Sequence, residues 1–225
     1  MNVEKLEKHQ KASRFIVIEG SIGAGKTSLA KRLAESLSGE LILEKASENP
    51  FLEGFYRNRR KDALPTQLFF LFQRAKQLEE LRQADMFASI RVADFHIDKD
   101  RLFAEINLNP EEMELYNKIC EKVEMKSIAP DLVIYLQASV DALLQRIYHR
   151  DISHETFIDK HYLESLNEAF AQHYYNYDEA PLLIVNTTSI DPINNDVDYL
   201  QLLEQIEQTT SGRHFYNPIT EVAFG

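Results

Sequence analysis

The apolar run Phe15-Ile16-Val17-Ile18 leads almost directly into Gly20-Ser21-Ile22-Gly23-Ala24-Gly25-Lys26-Thr27, which fills every fixed position of the phosphate-binding pattern Gly-x-x-x-x-Gly-Lys-Ser/Thr. A chain carrying this run is constrained to a buried strand, a glycine-rich turn and a helix in immediate succession. In that arrangement the backbone N–H groups of the turn converge on an anion, and the helix beginning near Lys26 adds the positive end of its dipole. The Lys26 ammonium reaches the outer phosphates, and the Thr27 hydroxyl is placed to ligate magnesium. Gly20, Ser21, Ile22, Gly23, Ala24, Gly25, Lys26, Thr27 and Ser28 are therefore expected to hold a nucleoside triphosphate. A glycine-rich turn without a ligand is the plain alternative, and the agreement of strand, turn, lysine and helix argues against it.

The 225 residues, 44% of them hydrophobic, suffice for one generous α/β domain with a real core. The single cysteine, Cys120, permits no internal disulfide. Neither a secretory leader nor an apolar run of membrane-spanning length is visible, so the expectation is a soluble cytoplasmic protein with no membrane partner. A formal net charge of -11 disfavours a nucleic-acid polymer as partner, because counterion release needs a basic surface. Asn186-Thr187-Thr188 matches a glycosylation sequon, which carries no weight in a cytoplasmic chain.

Apolar runs at about 15–19, 41–44, 90–94, 132–137 and 182–186 read as strands. They alternate with helix-like stretches, the pattern of a parallel sheet with helices on both faces. Leu29, Leu33 and Leu37 recur at helical spacing over 25–38. Between the second and third strands, Leu64, Leu68, Leu71, Ala75 and Leu78 predict a long helix packed on the sheet. Tyr162, Leu166, Ala169, Phe170 and Tyr174 form one stripe of a helix over 159–178. Residues 1–13, charged and weakly apolar, are expected to be a mobile or helical extension. Residues 14–225 would then form a single domain.

A phosphate loop is shared by many chemistries, so other residues must decide among them. The Asn-Lys-x-Asp run of a GTPase is missing from the sequence. Val92-Ala93-Asp94-Phe95 offers one acid where an oligomeric ATPase normally has two. A small-molecule kinase fits better. Three stretches within about 14–190 resemble the deoxynucleoside kinase family. They are Glu44 with Glu48-Asn49-Pro50-Phe51-Leu52 and Phe55-Tyr56; Gln67 and Arg74 with Asp94-Phe95-His96-Ile97-Asp98-Lys99-Asp100; and Arg146-Ile147-Tyr148-His149-Arg150 with Glu155. The resemblance implies a three-layer phosphate-loop fold with five parallel strands in the order 2-3-1-4-5, a lid near 146–158 and a homodimer. It also implies ATP-dependent phosphorylation of the 5'-hydroxyl of a deoxyribonucleoside in nucleoside salvage, with Mg2+ bridging the donor phosphates.

Residue chemistry suits these assignments. Glu44, read as ending a strand adjacent to the loop strand, would lie over the carboxyl edge of the sheet and accept the proton of the sugar hydroxyl. Gln67 and Arg74, seven residues apart, share a helix face over about 10 Å. The Gln67 amide, and Arg74 paired with Asp100, would read the base, and Phe70 would stack on it. Asp94, ending the third strand, is expected to act on magnesium, partly through water, or on the 5' end of the substrate.

Arg146 and Arg150 would close over the triphosphate as catalytic, ATP-binding cations. By resemblance, Tyr56 and Glu155 would contact the 3'-hydroxyl and leave little room for a 2'-hydroxyl. The family usually continues the third-strand acid with Arg-Ser, where this chain has Phe95-His96. Arg91, Lys99 or a lid arginine would have to replace that cation, and His96 is a lesser candidate. A further lid arginine of the family is Ile152 here. The rival readings are a thymidylate-type monophosphate kinase, against which the Glu44 carboxylate argues by repulsion, and a nucleotide sensor with weak turnover.

Overall fold

The computed structural model describes residues 14–83, 90–123 and 128–218, so the extension expected over 1–13 lies outside the described residues. Strand β1 (Arg14–Gly20) is buried from Ile16 onward and runs through the middle of a six-stranded parallel sheet. The others are β2 (Glu40–Ile42), β3 (Ile90–Ala93), β4 (Leu132–Gln137), β5 (Leu182–Asn186) and β6 (Arg213–Tyr216), in the order β2-β3-β1-β4-β5-β6. Continuous apolar runs form β1, β4 and β5 because both of their faces are covered.

Two expectations change. A sixth strand extends the sheet beyond the predicted five: β6 reads Arg-His-Phe-Tyr and is mostly exposed, so it carries no apolar run. It is held by backbone pairing to β5, from Leu182 opposite Arg213 to Val185 opposite Tyr216. The expected order of the first five strands, 2-3-1-4-5, holds, and it seats β3 rather than β2, the strand leading to Glu44, beside the loop strand, with Phe15 opposite Arg91 and Leu41 opposite Val92.

The helices are α1 (Lys26–Leu37), α2 (Leu52–Arg57), α3 (Arg59–Gln83), α4 (Asp98–Asn107), α5 (Pro110–Cys120), α6 (Val140–Arg150), α7 (Lys160–Asn176) and α8 (Asp196–Gln208). The aromatic stripe of α7 is core: Phe170 and Tyr174 stack on Tyr135 of β4, at 6.3 and 4.5 Å between ring centroids. Helix α8 joins α1 through the Tyr199 hydroxyl, which donates to Ser36 Oγ at 2.6 Å.

Helix α3 departs from its predicted packing. Leu64, Leu68 and Leu71 meet Ala104 and Tyr116 in a small core shared with α4 and α5. The face of α3 turned inward instead buries the polar side chains Thr66, Gln67, Arg74 and Gln77. A helix that buries polar groups must supply them with partners, and these lie along the carboxyl edge of the sheet.

Candidate active site

Between β1 and α1 the chain turns through Gly20, Gly23 and Gly25, all with positive φ. At Gly23 (φ 82) an added Cβ would lie 2.9 Å from the Leu143 carbonyl oxygen and 3.0 Å from Ile147 Cγ1, so the missing side chain lets the loop seat against α6. Gly25 (φ 94) occupies the N-cap of α1 and has no side chain to cap it, whereas α5, α6, α7 and α8 begin with Asn109, Ser139, Asp159 and Asn195 caps. The first amides of α1 are thereby left for an anion. The Lys26 ammonium donates to the carbonyls of Gly20 at 2.9 Å and Ser21 at 3.0 Å. Burial, together with the nearby Lys99 ammonium, draws its pKa down to about 8 against the opposing pull of Glu19, Glu44 and Asp94.

Two acids follow the ends of β2 and β3. Asp94 accepts the Thr27 hydroxyl at 2.5 Å on one oxygen and the Glu44 backbone N–H at 2.7 Å on the other. Asp94 thus fastens the segment after β2 to the start of α1, across the intervening strand. Glu44 faces the same cleft, its carboxylate bridging Arg74 Nη2 at 2.6 Å and Lys99 Nζ at 2.5 Å. Burial opposes its charge, yet the two cations outweigh burial and hold its pKa down at about 2.

Arg74 is 1% exposed and also reaches Asp100, at 3.2 Å from Nη2 and 3.3 Å from Nε. Its guanidinium lies 4.1 Å from the centroid of the Phe95 ring. Despite burial, the two carboxylates raise its pKa above the ordinary value.

The cleft holding these groups has a cavity volume of about 150 Å3. Lys26, Thr27, Glu44, Tyr56, Gln67, Phe70, Asp94, Asp100, Arg150 and Glu155 line it, which brings together the residues expected on the substrate side other than Arg74. Tyr56 stacks on His154 at 5.9 Å, and Glu155 pairs with Arg150 at 2.5 Å. Arg74 alone among the expected acceptor-side residues sits behind the wall, where it orients Glu44 and Asp100.

A second, more open cleft of about 780 Å3 lies across the glycine loop, lined by Gly23, Gly25, Ser28, Arg146, Arg150, Thr187, Ile193 and others. Arg146 is bonded there to the Thr187 hydroxyl at 3.0 Å and the Thr187 carbonyl at 2.6 Å. Arg150 borders both clefts.

Among the cations considered as replacements after Asp94, Arg91 is paired with Glu40 at 3.2 Å and hydrogen-bonds the Leu81 carbonyl, within β3 and away from the cleft. Lys99 is in the cleft. The His96 ring is buried beside Asp98, with Nδ1 at 3.1 Å from its carboxylate. Sequence reasoning passed over Glu19. Fully buried at the end of β1, it accepts the backbone N–H of His96 at 2.5 Å and of Gly20 at 3.1 Å, and burial raises its pKa. The available signal was an acid interrupting an apolar run immediately before the first loop glycine. Among the described residues no group of three or more His, Cys, Asp or Glu side chains is arranged to hold a metal.

Comparison with known proteins identifies the family and the fold. Residues 16–211 match the family model described as deoxynucleoside kinase. A deoxyguanosine kinase of Bacillus subtilis (strain 168) is 35% identical over 201 residues, spanning 86% of this chain and 96% of the relative. A deoxyadenosine kinase of Lactobacillus acidophilus is 30% identical over 209 residues, spanning 87% and 95%. The structure of deoxyadenosine kinase from M. mycoides with bound dATP superposes with a TM-score of 0.75 at 24% identity, over 86% of this chain and all of that one, which bears on the fold.

Proposed function

The chain belongs to the deoxynucleoside kinase family, and from that premise we propose that it transfers the γ-phosphoryl group of ATP to the 5'-hydroxyl of a purine deoxyribonucleoside, with Glu44 as the base. The observation that carries this reading is the Glu44 carboxylate standing in one cleft with Lys26 and Thr27 of the glycine loop. The purine preference rests on the Bacillus subtilis and Lactobacillus acidophilus relatives above, named deoxyguanosine kinase and deoxyadenosine kinase.

The acceptor hydroxyl gives its proton to Glu44 as its oxygen bonds to the γ-phosphorus. The bond from that phosphorus to the bridging oxygen breaks, and ADP leaves with the electron pair. Glu44 is ionised at any physiological pH, being held near pKa 2. Its share of the acceleration is modest, because positioning and charge neutralisation dominate phosphoryl transfer. Lys26 would hold the donor phosphates, and Arg150, bordering both clefts, would close over them. Gln67 and Asp100, the latter aligned by Arg74, would take the base. Tyr56 and Glu155 would take the sugar.

The Thr27 hydroxyl and the Asp94 carboxylate, in mutual contact, are hard oxygen donors of the kind magnesium selects. When bound, Mg2+ supplies charge neutralisation on the donor phosphates. We further propose a homodimer working in the cytoplasm, readings supported by the family; among the described residues no helix is long and apolar enough to cross a membrane.

A labelled-phosphate assay over the four deoxyribonucleosides, their ribose counterparts and the monophosphates tests the proposal. Transfer to deoxyadenosine or deoxyguanosine, with the ribosides much poorer, is expected. Transfer to monophosphates alone would overturn it, as would ATP binding without transfer. Light scattering at twice the 26.1 kDa chain mass would support the dimer.

A further inference from the structure

We propose that Lys99 is a catalytic residue: the cation that neutralises charge on the phosphoryl group as it reaches the acceptor oxygen, released for that task by the protonation of Glu44. The inference rests on Glu44 being the base.

Lys99 stands in the first turn of α4, a few residues past the end of β3, and its ammonium lies 2.5 Å from Glu44 Oε2 with the side chain 11% exposed. Among the described residues three cationic side chains line the cleft, Lys26, Lys99 and Arg150. Lys26 belongs to the glycine loop and Arg150 is engaged by Glu155 at the mouth. Lys99 is the one beside the acceptor. The position immediately after Asp94 supplies no charge, since Phe95 turns its ring to the Arg74 guanidinium.

The two cations on Glu44 differ in what remains when Glu44 takes a proton. Arg74 keeps Asp100 as a bidentate partner, so its charge stays compensated. Lys99 has Glu44 as its ion-pair partner, and Glu19, its more distant anion, is occupied by two backbone N–H groups. As the hydroxyl proton moves to Glu44 and the new P–O bond forms, the Lys99 ammonium loses its local anion while the transferred phosphoryl oxygens arrive beside it. A charge that is paired in the ground state and unpaired in the transition state favours the latter selectively, which raises kcat rather than affinity. In the ground state the same ammonium shields the donor phosphates from the Glu44 carboxylate.

The test is steady-state kinetics of the full chain with deoxyguanosine or deoxyadenosine and ATP. Lys99→Met is expected to lower kcat at least 100-fold with KM for the nucleoside changed less than fivefold, and added methylammonium is expected to restore activity at least fivefold. Lys99→Arg, which keeps the charge, should retain at least a tenth of the parental kcat. In a Glu44→Gln background, where no proton can be taken up by residue 44, Lys99→Met should cost less than fivefold. A kcat for Lys99→Met within threefold of the parent, a loss confined to KM, or a Lys99→Arg variant as slow as Lys99→Met each overturns the proposal. Should Lys99→Met not fold, Lys99→Gln is read in the same way, and if neither folds Lys99→Arg decides alone. Glu44→Gln with parental kcat would instead refute the base assignment, so the two failures are distinguishable.

Discussion

Arg74 sets the charge balance beside Glu44 and Asp100 from a position where solvent barely reaches it. Buried with two carboxylates, it illustrates why removing one member of an ion network costs more than the network itself contributes: Glu44 and Asp100 would remain as like charges in a poor solvent. Arg74→Met should therefore lower the unfolding free energy at pH 7 by about 3–5 kcal/mol, as read by urea titration. The pH dependence follows from Glu44, whose folded pKa of about 2 lies below its ordinary value of 4.5. A depressed carboxylate contributes stability that is fully present above 4.5 and is lost as pH falls toward 2. The gap between parent and variant should narrow over that window, and a gap independent of pH would show that packing rather than charge is responsible.

Lys26 carries the opposite signature. With a folded pKa of about 8 against an ordinary 10.5, part of the population is neutral at pH 8. A bound triphosphate favours the charged form, so binding of MgATP at pH 8 should take up roughly half a proton, and close to none at pH 6.5. Calorimetry in buffers of different ionisation heat measures this directly. Heats independent of buffer at pH 8 would contradict the depressed pKa.

At the scale of elements, the glycine loop and α6 are mechanically joined, because Gly23 has no Cβ where Leu143 and Ile147 press against it. Gly23→Ala must both adopt a positive φ and push on the Leu143 carbonyl. Its expected effect is a loss of ATP affinity of tenfold or more with nucleoside affinity little changed, measurable by titration of each ligand alone. Equal losses for both ligands would mean that the substitution disturbs the sheet rather than the loop.

The elements legible in the sequence were those with a strong period: β1, β4, β5, α1 and the stripe of α7 all reflect burial of continuous or regularly spaced apolar residues. The illegible ones depend on partners distant in sequence. β6 exists because β5 offers an open edge. The inward face of α3 is polar, since Arg74 and Gln77 find Glu44, Asp100 and the Leu43 carbonyl there, and no helical period in hydrophobicity announces such a face. From the sequence Lys99 could be named only as one of several candidates to replace a missing arginine, and it is the Glu44 carboxylate beside it that sets it apart. Sequence alone cannot choose among such candidates, because the carboxylate that selects one lies far along the chain.

For the whole molecule, the six parallel strands place both clefts along one edge, with the glycine loop and Arg150 common to the two. Donor and acceptor are thus expected to bind a single cooperative unit rather than separable halves. MgATP at 100 times its Kd should add about 2.7 kcal/mol to stability, which for a chain of this length raises the melting temperature by about 5–10 °C. A deoxyribonucleoside should raise it independently, and far- and near-ultraviolet circular dichroism should report one coincident transition in every case. Lys26→Ala should abolish most of the shift with MgATP while leaving the nucleoside shift in place, because Lys26 is proposed to hold the donor phosphates and Glu44, Gln67 and Asp100 the nucleoside. Loss of both shifts would show that the loop lysine supports the fold of the cleft as a whole. Two separate transitions would show that the sheet edge does not couple the sites.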